Sequence, residues 1–98
     1  MTAPIPLLRV VVLVSGRGSN LMAIAARADA GELPVRIEAR VGDRGAGGAR
    51  AWARGRGIPT SVLSPRNFPD REAYGRALGD IVESHAPQLV VLAGFMRI

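Results

Sequence analysis

VVVLVSGRGSNL, at residues Val10–Leu21, is the stretch of this sequence that decides its fold. Its first five residues are continuously apolar and mostly β-branched, which is typical of a strand covered on both faces in a parallel sheet. A turn with two glycines follows, and apolar residues then recur at the spacing of one helix face: Leu21, Ile24, Ala25 and Ala28. The stretch therefore predicts a strand, a tight loop and a helix.

Apolar runs alternate with helix-like stretches along the rest of the chain. Three more strands are predicted, at Val35–Val41, Thr60–Leu63 and Leu89–Leu92. Two more helices are predicted, one over Gly48–Arg56 and one that begins at Pro69 and ends before Pro87. Gly31 and Gly57 are predicted to stop the first two helices. The order β-α-β-α-β-α-β predicts a Rossmann-like α/β fold, a parallel sheet with helices on both faces.

The second predicted strand has a different pattern from the first. Its apolar residues alternate with Arg36, Glu38 and Arg40. Alternation of this kind predicts that one face of the strand is less covered than the other.

The glycine loop Ser15–Asn20 leaves the first strand at the carboxyl edge of the sheet, where ligands bind in open α/β folds. Gly16 and Gly18 let the backbone turn tightly and let an anion approach it. The free amides at the start of the next helix attract negative charge. The loop therefore predicts a phosphate site, and a capped turn without a ligand is the alternative.

The known nucleotide fingerprints do not fit this loop. Leu21 stands where the dinucleotide pattern needs a third glycine, and there is no P-loop lysine. The acidic residue expected about 20 residues later has no clear candidate, although Glu38 and Asp43 are nearby. A single phosphate on a monophosphate is the ligand that fits best.

The segment Ala93–Ile98 leaves the fourth strand at the same sheet edge. If the strand order is 3-2-1-4, this segment and the glycine loop flank one crevice. The apolar residues Phe95, Met96 and Ile98 then either line a slot for a flat ring or pack beneath the next element.

Arg71 lies near the start of the third helix, where the helix dipole disfavours a cation. Either an anionic ligand group or the neighbouring Asp70 accounts for it. His85, at the other end of that helix, is interpreted as structural because it lies at the opposite sheet edge from the glycine loop.

The amino-acid composition argues against several classes of function. All 13 basic residues are arginines, and they are dispersed among acidic residues rather than clustered, so the net charge of +5 does not indicate a nucleic-acid surface. There is no cysteine and a single histidine, so neither disulfides nor a cysteine- or histidine-based metal site is predicted. No apolar run approaches the roughly 20 residues that span a bilayer, and the start does not resemble a signal peptide. We expect a cytoplasmic protein without a membrane partner.

Three blocks of the sequence resemble glycinamide ribonucleotide formyltransferase: VVVLVSGRGSNL at Val10–Leu21, FPDREAYGRAL at Phe68–Leu78 and PQLVVLAGFMRI at Pro87–Ile98. Together with AGGARAWARGRGIPT at Ala46–Thr60, the resemblance covers nearly the whole chain after its first eight or so residues. That family transfers a formyl group from 10-formyltetrahydrofolate to the amine of glycinamide ribonucleotide in purine synthesis. The resemblance implies the same fold and the same two ligands for this chain.

The resemblance also implies roles for individual residues. It assigns the substrate phosphate to Gly18, Ser19 and Asn20. It assigns the folate to Arg71 and to the residues that border the pterin pocket, Met96, Arg97 and Ile98. No catalytic residue is assigned, because the family's catalytic Asn, His and Asp lie downstream of the FMRI segment.

Because those catalytic residues are not in this sequence, we expect residues 1–98 to be an incomplete amino-terminal half of the enzyme. This half is predicted to bind ligands but to be inactive alone. The same incompleteness predicts that the fourth strand forms an exposed apolar edge that favours self-association. Two alternatives stay open, a stand-alone mononucleotide- or folate-binding module and a formyltetrahydrofolate deformylase fragment. The motif SGRGSNL favours the ribonucleotide enzyme, since the deformylase has no phosphate-bearing acceptor. Ser15 and Ser64 stand where a response regulator would need acidic residues, which excludes that class.

Overall fold

The computed structural model describes residues 7–14, 19–43, 48–93 and 95, with the backbone alone for residues 19, 20 and 48–50. The helices and strands follow one another as β1 (Leu8–Val14), α1 (Ser19–Asp29), β2 (Val35–Gly42), α2 (Gly48–Gly55), β3 (Thr60–Val62), a 3-10 turn (Pro65–Asn67), α3 (Arg71–Ser84) and β4 (Leu89–Ala93). This is the predicted order of elements, with boundaries that differ by one or two residues. None of the helices in these ranges is long and apolar enough to cross a membrane.

The four strands form one parallel sheet in the order β3-β2-β1-β4. The Rossmann-like fold is therefore confirmed, and the strand order meets the condition set for a crevice between the glycine loop and the segment after the fourth strand. Because β1 lies between β2 and β4, its last five residues are buried, as its continuous apolar run predicts.

Each face of the sheet carries its own apolar core. On one face, Val10, Val12 and Val14 of β1 pack with Leu21 of α1, and Trp52 of α2 packs against the same group. On the other face, residues from β1 and β2 pack with α3: Val11, Leu13, Ala39, Val41, Tyr74 and Leu78. The predicted covering of both faces by helices is confirmed, with α1 and α2 on one side and α3 on the other.

A β-bulge at Glu38 changes which way β2 faces. Val10 of β1 pairs with Ile37, whereas Val11 pairs with Ala39, so Glu38 is an extra residue in the strand. Val35 and Ile37 consequently pack on the α1 and α2 face, whereas Ala39 and Val41 pack on the α3 face. The prediction that one face of β2 is less covered is wrong for the second half of the strand, where every residue from Ala39 to Gly42 is buried.

Glycines in the left-handed conformation end the first two helices. Gly31 has a φ of +79° and Gly57 a φ of +74°. After α1, the amide of Gly31 donates to Ala28 O at 3.1 Å and the amide of Glu32 donates to Arg27 O at 2.9 Å. This pair of bonds is the Schellman arrangement, which satisfies the last carbonyls of a helix. The predicted helix stops at both glycines are confirmed.

The start of α3 differs from its prediction. Pro69 was expected as the first helical residue, but the helix begins at Arg71 and Asp70 is its N-cap. The Asp70 carboxylate accepts a hydrogen bond from the amide of Ala73 at 2.7 Å. An aspartate in this position satisfies one of the free amides of the first turn, so the cap fixes the helix start two residues after the proline.

Tyr74 anchors α3 to the end of β3. Its hydroxyl donates to Leu63 O at 3.0 Å, and its ring meets Phe68 edge to face at 5.4 Å between centroids. Tyr74 is itself buried against β1 and β2. The first turn of α3 is therefore held close to the carboxyl end of β3.

The edge strand β4 leaves apolar side chains exposed. Leu89, Val90 and Leu92 are 46%, 39% and 52% exposed, respectively. The strand contains no charged residue and no proline, which are the features that usually protect an edge from pairing with another strand.

Candidate functional site

The carboxyl edge of the sheet collects the ends of all four strands. Val14, Gly42 and Val62 pair side by side at the ends of β1, β2 and β3. On the other side of β1, Leu13 pairs with Leu92, one residue before β4 ends at Ala93. The predicted glycine loop and the predicted ring-binding segment therefore depart from neighbouring strands at one edge.

The first turn of α1 lies over the end of β1. Leu21 is fully buried in the same cluster as Val14, which holds the helix start against the strand end. Ser19 and Asn20 are the first two residues of α1, where backbone amides have no acceptor within the helix. Two of the three residues assigned to the phosphate thus occupy an anion-attracting helix start, while Gly18 lies outside the described residues.

The segment after β4 is described at one position. Phe95 is 5% exposed and packs with the α3 face of the sheet. Of the two interpretations left open for Phe95, packing in the core is the one that the structure supports. Met96, Arg97 and Ile98, the residues assigned to the pterin pocket, lie outside the described residues.

Arg71 is the first residue of α3 and is exposed. Since α3 follows β3, its first turn lies at the carboxyl edge, on the opposite face of the sheet from α1. Arg27, Arg36 and Arg56 form ion pairs with neighbouring carboxylates, whereas Arg71 forms none with any of the described residues. Asp70 uses its carboxylate to cap the helix, so Arg71 is left exposed at the same edge as the start of α1.

Two charged residues at this edge were not predicted as buried. Arg40 is 2% exposed and Asp43 is 4% exposed, in a sheet that otherwise buries apolar side chains. Asp43 comes directly after β2, whereas Glu38, the other acidic residue near the second strand, lies on the bulge in mid-strand. The sequence signal for Asp43 was its place two residues after the predicted second strand, where it was noted as a nearby acidic residue.

Two other features lie away from the carboxyl edge. His85 is the C-cap of α3, and the adjacent Ala86 O accepts a bond from the Arg9 side chain near the start of β1. His85 is therefore at the amino edge, as its structural interpretation requires. A groove of about 340 Å³ lies between α1 and β4, lined by Ala23, Ile24, Arg27, Leu33, Val91, Leu92 and Ala93.

Comparison with known proteins agrees with this geometry. Residues 8–98 match a family model described as formyl transferase. The phosphoribosylglycinamide formyltransferase of Escherichia coli is 40% identical over 91 residues, which are 93% of this chain and 43% of that protein. The chain thus spans about two fifths of the length of this curated relative.

Solved structures show the same fold. The phosphoribosylglycinamide formyltransferase of Coxiella burnetii has a TM-score of 0.88 and 36% identity over 94% of this chain and 43% of its own. The formyltetrahydrofolate deformylase of Pseudomonas putida has a TM-score of 0.81 and 26% identity over 99% of this chain and 34% of its own. Sequence and fold agree, so this chain belongs to the formyl transferase family and resembles the amino-terminal half of phosphoribosylglycinamide formyltransferases.

Proposed function

We propose that this chain is the ligand-binding half of a phosphoribosylglycinamide formyltransferase of purine biosynthesis, acting in the cytoplasm. Gly18, Ser19 and Asn20 hold the phosphate of glycinamide ribonucleotide. The formyl donor, 10-formyltetrahydrofolate, lies between the exposed guanidinium of Arg71 and the segment after β4, with Met96, Arg97 and Ile98 bordering its pterin ring.

One observation carries this proposal. The order β3-β2-β1-β4 sends the end of β1 and the end of β4 out of the sheet side by side. This neighbouring arrangement supports a phosphate at the start of α1 and a ring beyond β4 at one edge of the sheet. Arg71, on the α3 face of the same edge, supplies the positive charge that a folate carboxylate needs.

A crossed titration tests the two binding roles. Asn20→Ala removes a side-chain donor at the helix start, so we expect about tenfold weaker binding of glycinamide ribonucleotide and unchanged binding of a tetrahydrofolate. Arg71→Ala removes a charge-assisted contact, so we expect the reverse pattern, with about tenfold weaker folate binding. Isothermal titration of both ligands against both variants measures this, and each variant is the control for the other. If both variants bind both ligands as tightly as the unchanged chain does, both binding roles are contradicted.

The same titration separates the alternative functions. A deformylase fragment would bind the folate and not the phosphate-bearing ribonucleotide, and a mononucleotide-binding module would show the opposite. The similarity of fold to the Pseudomonas putida deformylase does not by itself distinguish a deformylase from a ribonucleotide formyltransferase. We favour the ribonucleotide enzyme because the start of α1 forms an anion site that a deformylase does not require.

We also expect a polypeptide of these 98 residues alone to transfer no formyl group. Transfer needs a polarised formyl carbonyl and a base that manages the attacking amine. The single histidine of the chain, His85, lies at the amino edge of the sheet, far from the proposed ligands. Incubation with both substrates followed by detection of formylated product measures the activity, and turnover above the uncatalysed rate would refute the expectation.

A further proposal concerns the exposed edge. We propose that the same polypeptide self-associates through β4. Among the described strands β4 pairs on one side only, and its three exposed apolar side chains favour pairing with a second copy.

A further inference from the structure

The buried guanidinium of Arg40 is a charge near the carboxyl edge that the proposed binding roles do not use. Arg40 pairs with Val12, and Val12 packs on the α1 and α2 face. Because paired residues of neighbouring strands point to the same face, the Arg40 side chain extends on the side of the sheet where α1 begins. The Arg40 side chain is 2% exposed there, so water screens its charge little.

The position of that charge is fixed by Gly42. A Cβ atom placed on Gly42 would lie 2.6 Å from Nη2 and 2.8 Å from Cζ of Arg40. The guanidinium therefore covers the backbone of Gly42, in the space that any other residue would fill with its side chain. The Arg40 guanidinium thus lies near the carboxyl edge of the sheet, two residues beyond its own backbone.

The carboxyl edge at this point is one strand away from the proposed phosphate site. Gly42 pairs with Val14, the last residue of β1, and neighbouring strands are about 4.8 Å apart. The loop assigned to the phosphate begins at the residue after Val14. A buried charge at this distance is screened little by solvent, so its field reaches an anion at the helix start.

Asp43 places the opposite charge beside the same edge. It follows Gly42 directly and is 4% exposed. Its carboxylate reduces the positive potential that Arg40 creates. The two residues have opposite effects on any anion bound at the start of α1, although neither is exposed enough to serve as a direct contact.

We propose that Arg40 and Asp43 together set the electrostatic potential at the start of α1, and so tune its affinity for a phosphate monoester. Arg40 strengthens phosphate binding and Asp43 weakens it. This inference rests on the proposed phosphate site and adds residues to it that act through the field rather than by contact.

Titration with inorganic phosphate at low ionic strength tests the inference. Arg40→Met keeps much of the side-chain volume and removes the charge, and we expect about tenfold weaker binding. Arg40→Lys retains the charge and should stay within about threefold of the unchanged chain. Asp43→Asn removes the opposing charge and should bind phosphate about threefold more tightly or better.

Arg36→Met is the matched control for net charge. Arg36 lies on the same strand, four residues earlier, and is exposed beside Glu38 at 3.5 Å. At about 13 Å along the strand from Arg40 and open to solvent, its loss should change phosphate affinity less than twofold. Melting temperatures of all variants report whether each remains folded.

The opposite signs distinguish a field from a structural effect. If both buried residues only supported the loops, Arg40→Met and Asp43→Asn would both weaken binding, and that result overturns the inference. Equal losses in Arg40→Met and Arg40→Lys also overturn it, because the charge would then be irrelevant. If Arg40→Met does not fold, Asp43→Asn decides alone, since unchanged or weaker binding contradicts the inference. A failure of the unchanged chain to bind either phosphate or glycinamide ribonucleotide would instead overturn the phosphate site itself.

Discussion

Replacing Tyr74 by alanine is expected to lower the free energy of unfolding by about 3–5 kcal/mol, the usual loss for a large buried aromatic side chain. Tyr74 is 3% exposed and packs among residues of β1, β2 and α3. The substitution also removes the hydroxyl bond to Leu63 O and the edge-to-face contact with Phe68. Since small domains are stable by only about 5–15 kcal/mol, this loss would bring a domain at the lower end of that range close to its unfolding midpoint. Urea denaturation followed by circular dichroism measures the change.

Tyr74→Phe is the matched control for that experiment. It keeps the ring in the core and removes only the hydroxyl, so we expect a loss of about 1 kcal/mol. The two variants separate the contribution of packing from that of the bond to Leu63 O. An alanine variant no less stable than the phenylalanine variant would mean that α3 does not depend on this side chain for its attachment to the sheet.

Placing lysines on β4 is expected to change the assembly state of the 98-residue polypeptide from oligomer to monomer. Leu89→Lys and Leu92→Lys put charge on two of the most exposed apolar side chains of the strand. Like charges brought together on two paired edges repel one another, and a lysine on an edge strand is a common natural barrier to such pairing. Sedimentation velocity over a range of concentrations measures the change in mass.

A second pair of substitutions controls for net charge. Gly75→Lys and Gly79→Lys add the same two charges on α3, where both glycines are exposed and an added Cβ meets no atom within 4 Å. We expect this variant to associate as the unchanged polypeptide does. A monomeric unchanged polypeptide, or equal dissociation by both pairs of lysines, would contradict the role proposed for β4.

Much of the fold was predictable because each element has a local cause. Continuous β-branched residues define β1, and glycines at 31 and 57 adopt the positive φ that stops a helix. The parallel sheet followed from the alternation of strands and helices, whereas the strand order 3-2-1-4 entered only as a condition for the crevice. The start of α3 was displaced by two residues because a side-chain cap at Asp70 overrode the preference of Pro69 for a first helical position.

The candidate site was predictable only in part. The sequence correctly placed Ser19 and Asn20 at the start of α1. It also placed Arg71 near the start of α3, where the structure has it. The burial of Arg40 was not predictable, because it follows from a bulge that the alternating pattern of β2 conceals. The alternation of apolar and charged residues continues through Glu38 in the sequence, but the apolar side chains before and after Glu38 point to opposite faces of the sheet.

The bulge at Glu38 divides β2 into two halves whose apolar side chains point to opposite faces of the sheet. This arrangement determines how the length of the strand can change among relatives. Because Ile37 and Ala39 already pair with the adjacent residues Val10 and Val11, a strand without residue 38 would be regular and would keep Ala39 and Val41 on the α3 face. In an alignment of relatives, a one-residue gap at position 38 should therefore be compatible with arginine at position 40 and glycine at position 42. Position 38 is thus a place where the length of the strand can change by one residue without changing which side chains reach the carboxyl edge.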